Sequence, residues 1–333
     1  MDMNLWCEKI LSSTRRIAVP IMTHPGIDMI GRTVNDAVNN GTVHFQAIKA
    51  LSDRFPSAAA CTIMDLTLEA EAFGARILFS EDEIPTVEKP MIEDSSEIDR
   101  LSKPSMDAGR LPEMMKACRM AADNIKDRPV FGGVIGPYSL AGRLYGMTEL
   151  MIGCCCEPDS MNVLLEKCTD FLIDYCLQLK DTGLNGIMMA EPAAGLISSE
   201  DCMEFSSRYI KRIVDKVQDD KFIFILHNCG TSGHCLDAML ETGARGLHFG
   251  NKADIAGVLE KAPDNILIMG NIDPVDILLL STPQRVYEET YSILERTQKY
   301  RNFILSSGCD VPPHVPEQNI EAFYKALEDF NMR

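Results

Sequence analysis

The sequence predicts an α/β fold, a (β/α)8 TIM barrel, formed by one domain over residues 1–333. Eight short apolar runs recur along the chain, and helical patterns lie between them. Parallel strands need crossover helices, and eight such units close into a barrel. A doubly wound sheet is the alternative, but no Gly-x-Gly-x-x-Gly turn follows the first run.

The predicted strands are apolar runs bounded by polar residues or glycines, which is typical of strands buried on both faces. In chain order they cover residues 17–22, 58–64, 130–135, 186–190, 222–226, 246–249, 266–270 and 303–306. The helices are predicted from apolar positions with helical spacing. They cover a lead-in helix at 1–16 and then 33–55, 66–74, 111–126, 139–153, 158–182, 199–217, 233–242, 254–261, 283–299 and 317–330.

Residues 80–110 form a polar, acidic segment that contains Pro85, Pro90 and Pro104. We interpret it as an excursion over the surface rather than a linker, because no new composition begins after it. Ser198 or Ser199 is expected to cap the helix that begins at about residue 199.

The composition indicates an ordinary globular enzyme, with 46% hydrophobic residues and a net charge of −17. No dense Lys/Arg run suggests nucleic-acid binding, and no apolar run reaches the ~18 residues of a membrane span. The first residues lack the apolar core of a signal peptide. We therefore expect a cytoplasmic protein whose twelve cysteines are reduced thiols.

Polar and metal-binding residues follow the predicted strands, where the chemistry of such barrels is found. These residues are His24, Asp65, Tyr138, Glu191, His227, Cys229, Gly250, Asn271, Asp273 and Cys309. Because strand ends converge on one axial pocket, side chains from distant parts of the chain are expected to meet there.

A His/Cys/Cys set is the clearest candidate among these residues. His227 and Cys229 are two residues apart after the fifth strand, so they project to the same side, and Cys309 follows the eighth strand. Zinc binds Cys sulfur and His nitrogen, and three protein ligands with one open position are the catalytic pattern. The alternative is that these are ordinary buried thiols and a core histidine.

An open zinc with two thiolate ligands suits the activation of a substrate thiol. Zinc lowers the pKa of a bound thiol, and the resulting thiolate is a nucleophile that can accept a methyl group. Activation of water for hydrolysis is the competing use. Two negative ligands make the zinc less acidic, which favours keeping the bound thiolate nucleophilic.

The segments LHNCG at 226–230, MGN at 269–271 and SSGCDVPPHVPEQNIEAF at 306–323 resemble the uroporphyrinogen decarboxylase superfamily. Within it, the chain is most similar to the methylcobamide:coenzyme M methyltransferase group, from about residue 17 onward. This resemblance implies Zn²⁺ held by His227, Cys229 and Cys309. It also implies a methylcobamide donor on a partner corrinoid protein and a thiol acceptor such as coenzyme M.

The resemblance also implies roles for other residues. Glu191 stands where relatives carry an acidic residue, and Asp65 and Tyr138 fall where the decarboxylase has its catalytic Asp and Tyr. We expect these three to shape the pocket or to hydrogen-bond the ligands. Asn271 of the MGN motif and Arg143 are the predicted cofactor- and acceptor-binding residues, with Arg143 a candidate for the sulfonate of coenzyme M.

One departure from the family pattern concerns zinc. Relatives often have an acidic residue after the sixth strand, where this chain has Gly250 in LHFGNK. If that acid is a ligand in relatives, then Glu191, His248 or water must replace it here. We interpret His248 as a histidine that packs beside the site or supports a ligand.

The sequence is also compatible with other functions. The acceptor could be homocysteine or tetrahydrofolate instead of coenzyme M. Uroporphyrinogen decarboxylation is a second hypothesis, but only Arg32 stands in the segment where the decarboxylase has an arginine-rich motif. A barrel that binds a corrinoid protein or a thiol without turnover is the third.

Overall fold

The computed structural model describes residues 1–230 and 233–333. The strands are β1 (Ala60–Cys61), β2 (Ile77–Leu78), β3 (Thr86–Val87), β4 (Val130–Ile135), β5 (Gly186–Ala190), β6 (Ile223–Asn228), β7 (Gly246–Phe249), β8 (Leu267–Ile272) and β9 (Phe303–Ser307). Seven of them form one sheet in the order β1-β4-β5-β6-β7-β8-β9, and all neighbours are parallel. β2 and β3 form a separate antiparallel hairpin.

Helices alternate with these strands. They are α1 (Met3–Ser12), α2 (His24–Met29), α3 (Val34–Asn39), α4 (Gly41–Arg54), α5 (Leu68–Phe73), α6 (Leu111–Asn124), α7 (Pro137–Tyr145), α8 (Met147–Cys156), α9 (Pro158–Asp181), α10 (Ser199–Cys202), α11 (Arg208–Val217), α12 (Leu236–Leu240), α13 (Ile255–Lys261), α14 (Pro283–Thr297) and α15 (Glu317–Asn331). Within the described ranges, none of the helices is long and apolar enough to cross a membrane.

The segment at 17–22 closes the sheet between β9 and β1. Ala18 forms a parallel bridge with Leu305, and the Val19 N–H donates to the Leu305 carbonyl at 2.9 Å. On the other side, the Ala58 N–H donates to the Ala18 carbonyl at 2.8 Å. The predicted (β/α)8 barrel is therefore confirmed.

The first two predicted strands are shorter than expected. Only Ala18 of the first pairs by a regular bridge, and the second is reduced to the two residues of β1. Pro20 interrupts the first ladder because proline has no backbone N–H. Side chains replace the missing ladder bonds: the Ser307 hydroxyl accepts from the Ile21 N–H at 3.1 Å, and the Thr23 hydroxyl donates to the Cys61 carbonyl at 2.7 Å.

Several long predicted helices are interrupted. The helix predicted at 33–55 divides at Asn40, whose side chain caps α4 by accepting from the Thr42 N–H at 2.9 Å. The helix predicted at 139–153 divides at Gly146, whose φ of 101° is a conformation that glycine adopts readily. Ser198 caps α10 as expected, accepting from the Asp201 N–H at 3.0 Å. The excursion at 80–110 contains β3 and a 3₁₀ helix, Ser95–Arg100.

The core has two layers. One fills the barrel and includes Phe131, Met188, Ile225 and Met269, and the other lies between strands and helices. The lead-in helix α1 packs against the barrel filling, since the Trp6 ring meets the Phe131 ring edge-on at 5.9 Å. The polar residues that follow the strands lie at the opposite end of the barrel from α1.

Glu69 of α5 is a fully buried carboxyl in the helical layer. Its Oε1 accepts from the Ile135 N–H at 3.0 Å, while Oε2 has no hydrogen-bond partner within the described ranges. Burial raises the pKa of Glu69 to about 8. Between the ordinary carboxyl pKa and about 8, the folded protein keeps a proton on Glu69 that the unfolded chain has released. The stability of the fold should therefore decrease as pH rises through that window.

We expect Glu69→Gln to flatten this decline, because an amide keeps the acceptor for Ile135 and does not titrate. The decline attributable to Glu69 is at most about 1.4 kcal/mol per pH unit. Urea unfolding of wild type and variant at several pH values between 5 and 8 measures it. Glu260→Gln, at an exposed position of α13, is the control, and parallel profiles for wild type and Glu69→Gln would contradict the prediction.

Candidate metal centre

The structure brings the three predicted zinc ligands together. His227 lies near the end of β6, Cys229 directly follows that strand, and Cys309 follows β9. Their ligand atoms all lie within 4.8 Å of one another. β6 and β9 are not neighbours in the sheet, so the curvature of the barrel produces this approach.

The donor atoms fit a zinc ion. His227 is buried, and its Nε2 has no hydrogen-bond partner in the described part of the chain. A hydrogen bond between the two thiols lowers the pKa of Cys229 and, together with burial, raises the pKa of Cys309. One nitrogen and two sulfurs, with no fourth His, Cys, Asp or Glu of the described residues in the group, leave room for a substrate atom.

A chain of buried hydrogen bonds leads away from His227. Its Nδ1 lies 2.8 Å from Nδ1 of His248, and Nε2 of His248 lies 2.8 Å from the Ser306 hydroxyl. That hydroxyl donates to the Val19 carbonyl at 2.7 Å. Burial, followed by the neighbouring His227, holds the pKa of His248 well below its ordinary value, so its imidazole is neutral.

Gly250 packs directly against Cys229, one of the three predicted ligands. A Cβ at this position would lie 2.7 Å from the Cα of Cys229, so a larger residue would displace Cys229 or the loop. Asn271 holds the same loop, since its side-chain amide donates to the carbonyls of Gly250 and Ala253, each at 2.8 Å. Asn271 therefore fixes the loop that packs against Cys229.

Glu191 directly follows β5, and its carboxyl group lies against the amino terminus of α7. It accepts from the N–H groups of Tyr138 at 2.9 Å and Ser139 at 2.6 Å, and the Ser206 hydroxyl lies 3.4 Å away. Burial raises the pKa of Glu191 to about 7. Both carboxylate oxygens thus hold backbone groups that the helix start leaves unpaired. Tyr138 is fully buried, and burial, followed by neighbouring Cys154, raises the pKa of its hydroxyl.

Asp65 is held by a buried ion pair. Arg110 donates to it and also to Glu71, at 2.7 Å, and the Thr67 hydroxyl donates to Asp65 at 2.6 Å. The sequence gives no local signal for this pair, because Arg110 lies far from Asp65 along the chain. The structure thus places the predicted catalytic Asp65 in a network that fixes the loop after β1.

Arg143 is half-buried on α7, the helix that follows β4. Burial lowers the pKa of its guanidinium, and the charge of Asp65 partly offsets this effect. Within the described ranges, no hydrogen bond or ion pair engages the guanidinium. An arginine without a hydrogen-bond or ion-pair partner is suited to bind an anionic group of a substrate.

Comparisons with known proteins show which family the chain matches. A model of the uroporphyrinogen decarboxylase (URO-D) family matches residues 13–330. The methylcobamide:CoM methyltransferase MtbA of Methanosarcina mazei is 29% identical over 273 residues, covering 80% of this chain and 78% of the relative. The uroporphyrinogen decarboxylase of Psychromonas ingrahamii is 27% identical over 289 residues, covering 84% of this chain and 80% of the relative.

The fold also has close structural neighbours. A methyltransferase from Methanosarcina mazei superposes with a TM-score of 0.87 over 97% of both chains, at 20% identity. A B12-independent methionine synthase from a Shewanella species superposes with a TM-score of 0.54 over 87% of both chains, at 14% identity. These likenesses show the barrel fold.

Proposed function

The chain belongs to the uroporphyrinogen decarboxylase (URO-D) family, and we propose that it is a zinc-dependent methyltransferase of that family. It would move a methyl group from a methylated corrinoid to a thiol acceptor such as coenzyme M. The expectation of an enzyme that transfers methyl groups is supported by relatives named methylcobamide:CoM methyltransferases.

The observation that carries this proposal is the set of His227, Cys229 and Cys309, whose ligand atoms lie within 4.8 Å of one another. When bound there, zinc would supply a positive centre that keeps the acceptor sulfur as a thiolate. His227 Nε2 and the two cysteine sulfurs would hold it. Asn271 would keep the Gly250 loop against Cys229, and Glu191 would keep α7 in place beside the pocket.

A methylated corrinoid protein would dock on the carboxyl face of the barrel. Exposed apolar side chains lie on the segments that follow β5 and β8, including Leu196, Met203, Val275 and Leu280. Leu280 is 71% exposed and Leu196 is 58% exposed. Exposed apolar side chains on these segments favour contact with another protein.

The decisive experiment offers methylcobalamin to the zinc-loaded protein with coenzyme M, homocysteine or tetrahydrofolate in parallel. We expect methylcobalamin to be demethylated in the presence of coenzyme M, and the change in corrinoid absorbance measures this reaction. Turnover with tetrahydrofolate alone would overturn the thiol acceptor. Because some relatives are named uroporphyrinogen decarboxylases, carbon dioxide release from uroporphyrinogen is measured in the same preparation, and its presence would contradict the proposal.

Arg143 is proposed to bind the sulfonate of coenzyme M. We expect Arg143→Met to raise the KM for coenzyme M by about 10- to 100-fold, because a hydrogen bond to a charged group contributes roughly 1.5–3 kcal/mol. Arg143→Lys should restore part of the loss.

The matched substrate for this test is 2-mercaptoethanol, which keeps the thiol and lacks the sulfonate. Its KM should not change in Arg143→Met. An equal rise for both thiols would show that Arg143 supports the pocket and does not recognise the anion.

A further inference from the structure

Four buried groups are linked in one line behind the metal centre: His227, His248, Ser306 and the Val19 carbonyl. The parallel register of β6 and β7 places His227 directly beside His248. The two rings lie 4.6 Å apart at 76°, and their Nδ1 atoms are 2.8 Å apart. Both histidines and Ser306 are at most 1% exposed, so water does not compete for these bonds.

The direction of each hydrogen bond follows from the end of the line. A carbonyl oxygen can only accept, so the Ser306 hydroxyl must give its proton to Val19. The Ser306 oxygen is then left to accept, and Nε2 of His248 must carry the proton that it receives. In a neutral imidazole the other nitrogen is an acceptor. Nδ1 of His248 therefore accepts from Nδ1–H of His227.

The proton of His227 is thereby assigned to Nδ1, and Nε2 keeps its lone pair. This Nε2 is the buried nitrogen that has no hydrogen-bond partner within the described ranges. The hydrogen bond at one ring nitrogen of a histidine decides which nitrogen is free to bind a metal.

We propose that His248 and Ser306 are positioning residues that hold His227 in the tautomer whose Nε2 faces the metal. The proposal rests on the proposed zinc centre and extends it by two side chains that do not touch the metal. It also gives His248 a role beside Gly250, where the chain lacks an acidic side chain. The backbone carbonyl of Val19, on the segment that closes the barrel, is the fixed end of the line.

The first test measures zinc affinity by competition with a chromophoric chelator, without methyl donor or acceptor. We expect His248→Leu to weaken zinc binding by about 10- to 100-fold, as is usual when the partner of a ligating histidine is lost. His248→Asn should recover most of the affinity, because its Oδ1 occupies the branch position of Nδ1 and can accept from His227. Ser306→Ala removes only one oxygen and should weaken binding by a smaller factor.

His44→Leu is the matched control, because His44 is also a buried histidine whose ring nitrogen holds a barrel backbone group, the Ile63 N–H, at 3.0 Å. Its zinc affinity should equal that of wild type. Unchanged affinity in both His248→Leu and Ser306→Ala would overturn the inference. If the wild type bound no zinc, both the proposed function and this inference would fail. If the wild type bound zinc and these two variants bound it equally well, only this inference would fail.

The second test reads the tautomer directly in protein labelled with [¹⁵N]histidine and loaded with zinc. The six histidines give few enough signals to assign by substitution. We expect the proton of His227 on Nδ1 and the metal on Nε2. A proton on Nε2, or metal on Nδ1, would overturn the inference whatever the activity of the enzyme.

Discussion

Cys309→Ala is expected to remove zinc from the protein and to abolish methyl transfer. Cys309 is the proposed ligand that follows the last barrel strand, and without it only His227 and Cys229 remain of the group. Zinc content should fall from about one per chain, the single-ion stoichiometry of a three-ligand catalytic site, to a small fraction. A bound metal contributes several kcal/mol to the reaction, so the rate should fall by about 10³-fold or more.

Cys118→Ala is the matched control for this experiment. Cys118 is a fully buried thiol on α6, in the layer between strands and helices. Its loss should cost some stability through a small cavity but should leave zinc content and methyl transfer unchanged. Elemental analysis after dialysis and methylcobalamin turnover measure both effects. Full zinc content in Cys309→Ala would refute the proposed ligand set.

Arg110→Met is expected to destabilise the fold by about 3–5 kcal/mol, the usual cost of breaking a buried ion pair by removing one partner. The Arg110 side chain is 7% exposed and that of Asp65 is 2% exposed. The substitution leaves the carboxylates of Asp65 and Glu71 without their shared counter-charge. Urea unfolding at neutral pH measures the change.

Arg212→Met tests whether the effect comes from burial. Arg212 also pairs with two carboxylates, Glu166 and Asp170, but its side chain is 41% exposed. Exposed pairs contribute about 0–1 kcal/mol, so this variant should be nearly as stable as wild type. The double variant Asp65→Asn/Arg110→Met should recover part of the loss. Equal losses for the two single arginine variants would contradict the prediction.

Strand prediction succeeded where burial is complete and failed where the ladder is irregular. The predicted strands at 130–135, 186–190 and 246–249 coincide with β4, β5 and β7. Runs buried on both faces are apolar throughout, so their limits are visible in the sequence. The segment at 17–22 is equally apolar, but Pro20 and side-chain hydrogen bonds replace most of its ladder.

The candidate metal centre also has features that the sequence predicted and features that it did not. The spacing of His227 and Cys229 and the position of Cys309 after the last strand were sufficient to predict that the three would meet. The pairing of His227 with His248 was not predictable, because it depends on the register of β6 against β7. Ser306 entered only as part of a motif, and its role depends on a carbonyl at the other end of the chain.

The barrel, the order of its strands and the residue types that gather at their ends were predictable from the amino-acid sequence. These properties follow from hydrophobic periodicity and from the rule that parallel strands end on one face. The partners of the polar side chains depend on the folded chain: Glu191 bonds the start of α7, Asp65 pairs with Arg110, and Asn271 bonds the Gly250 loop. Hydrogen bonds and ion pairs between distant segments depend on differences of a few tenths of an ångström in atomic position. A pattern of residue types along the chain does not contain this information.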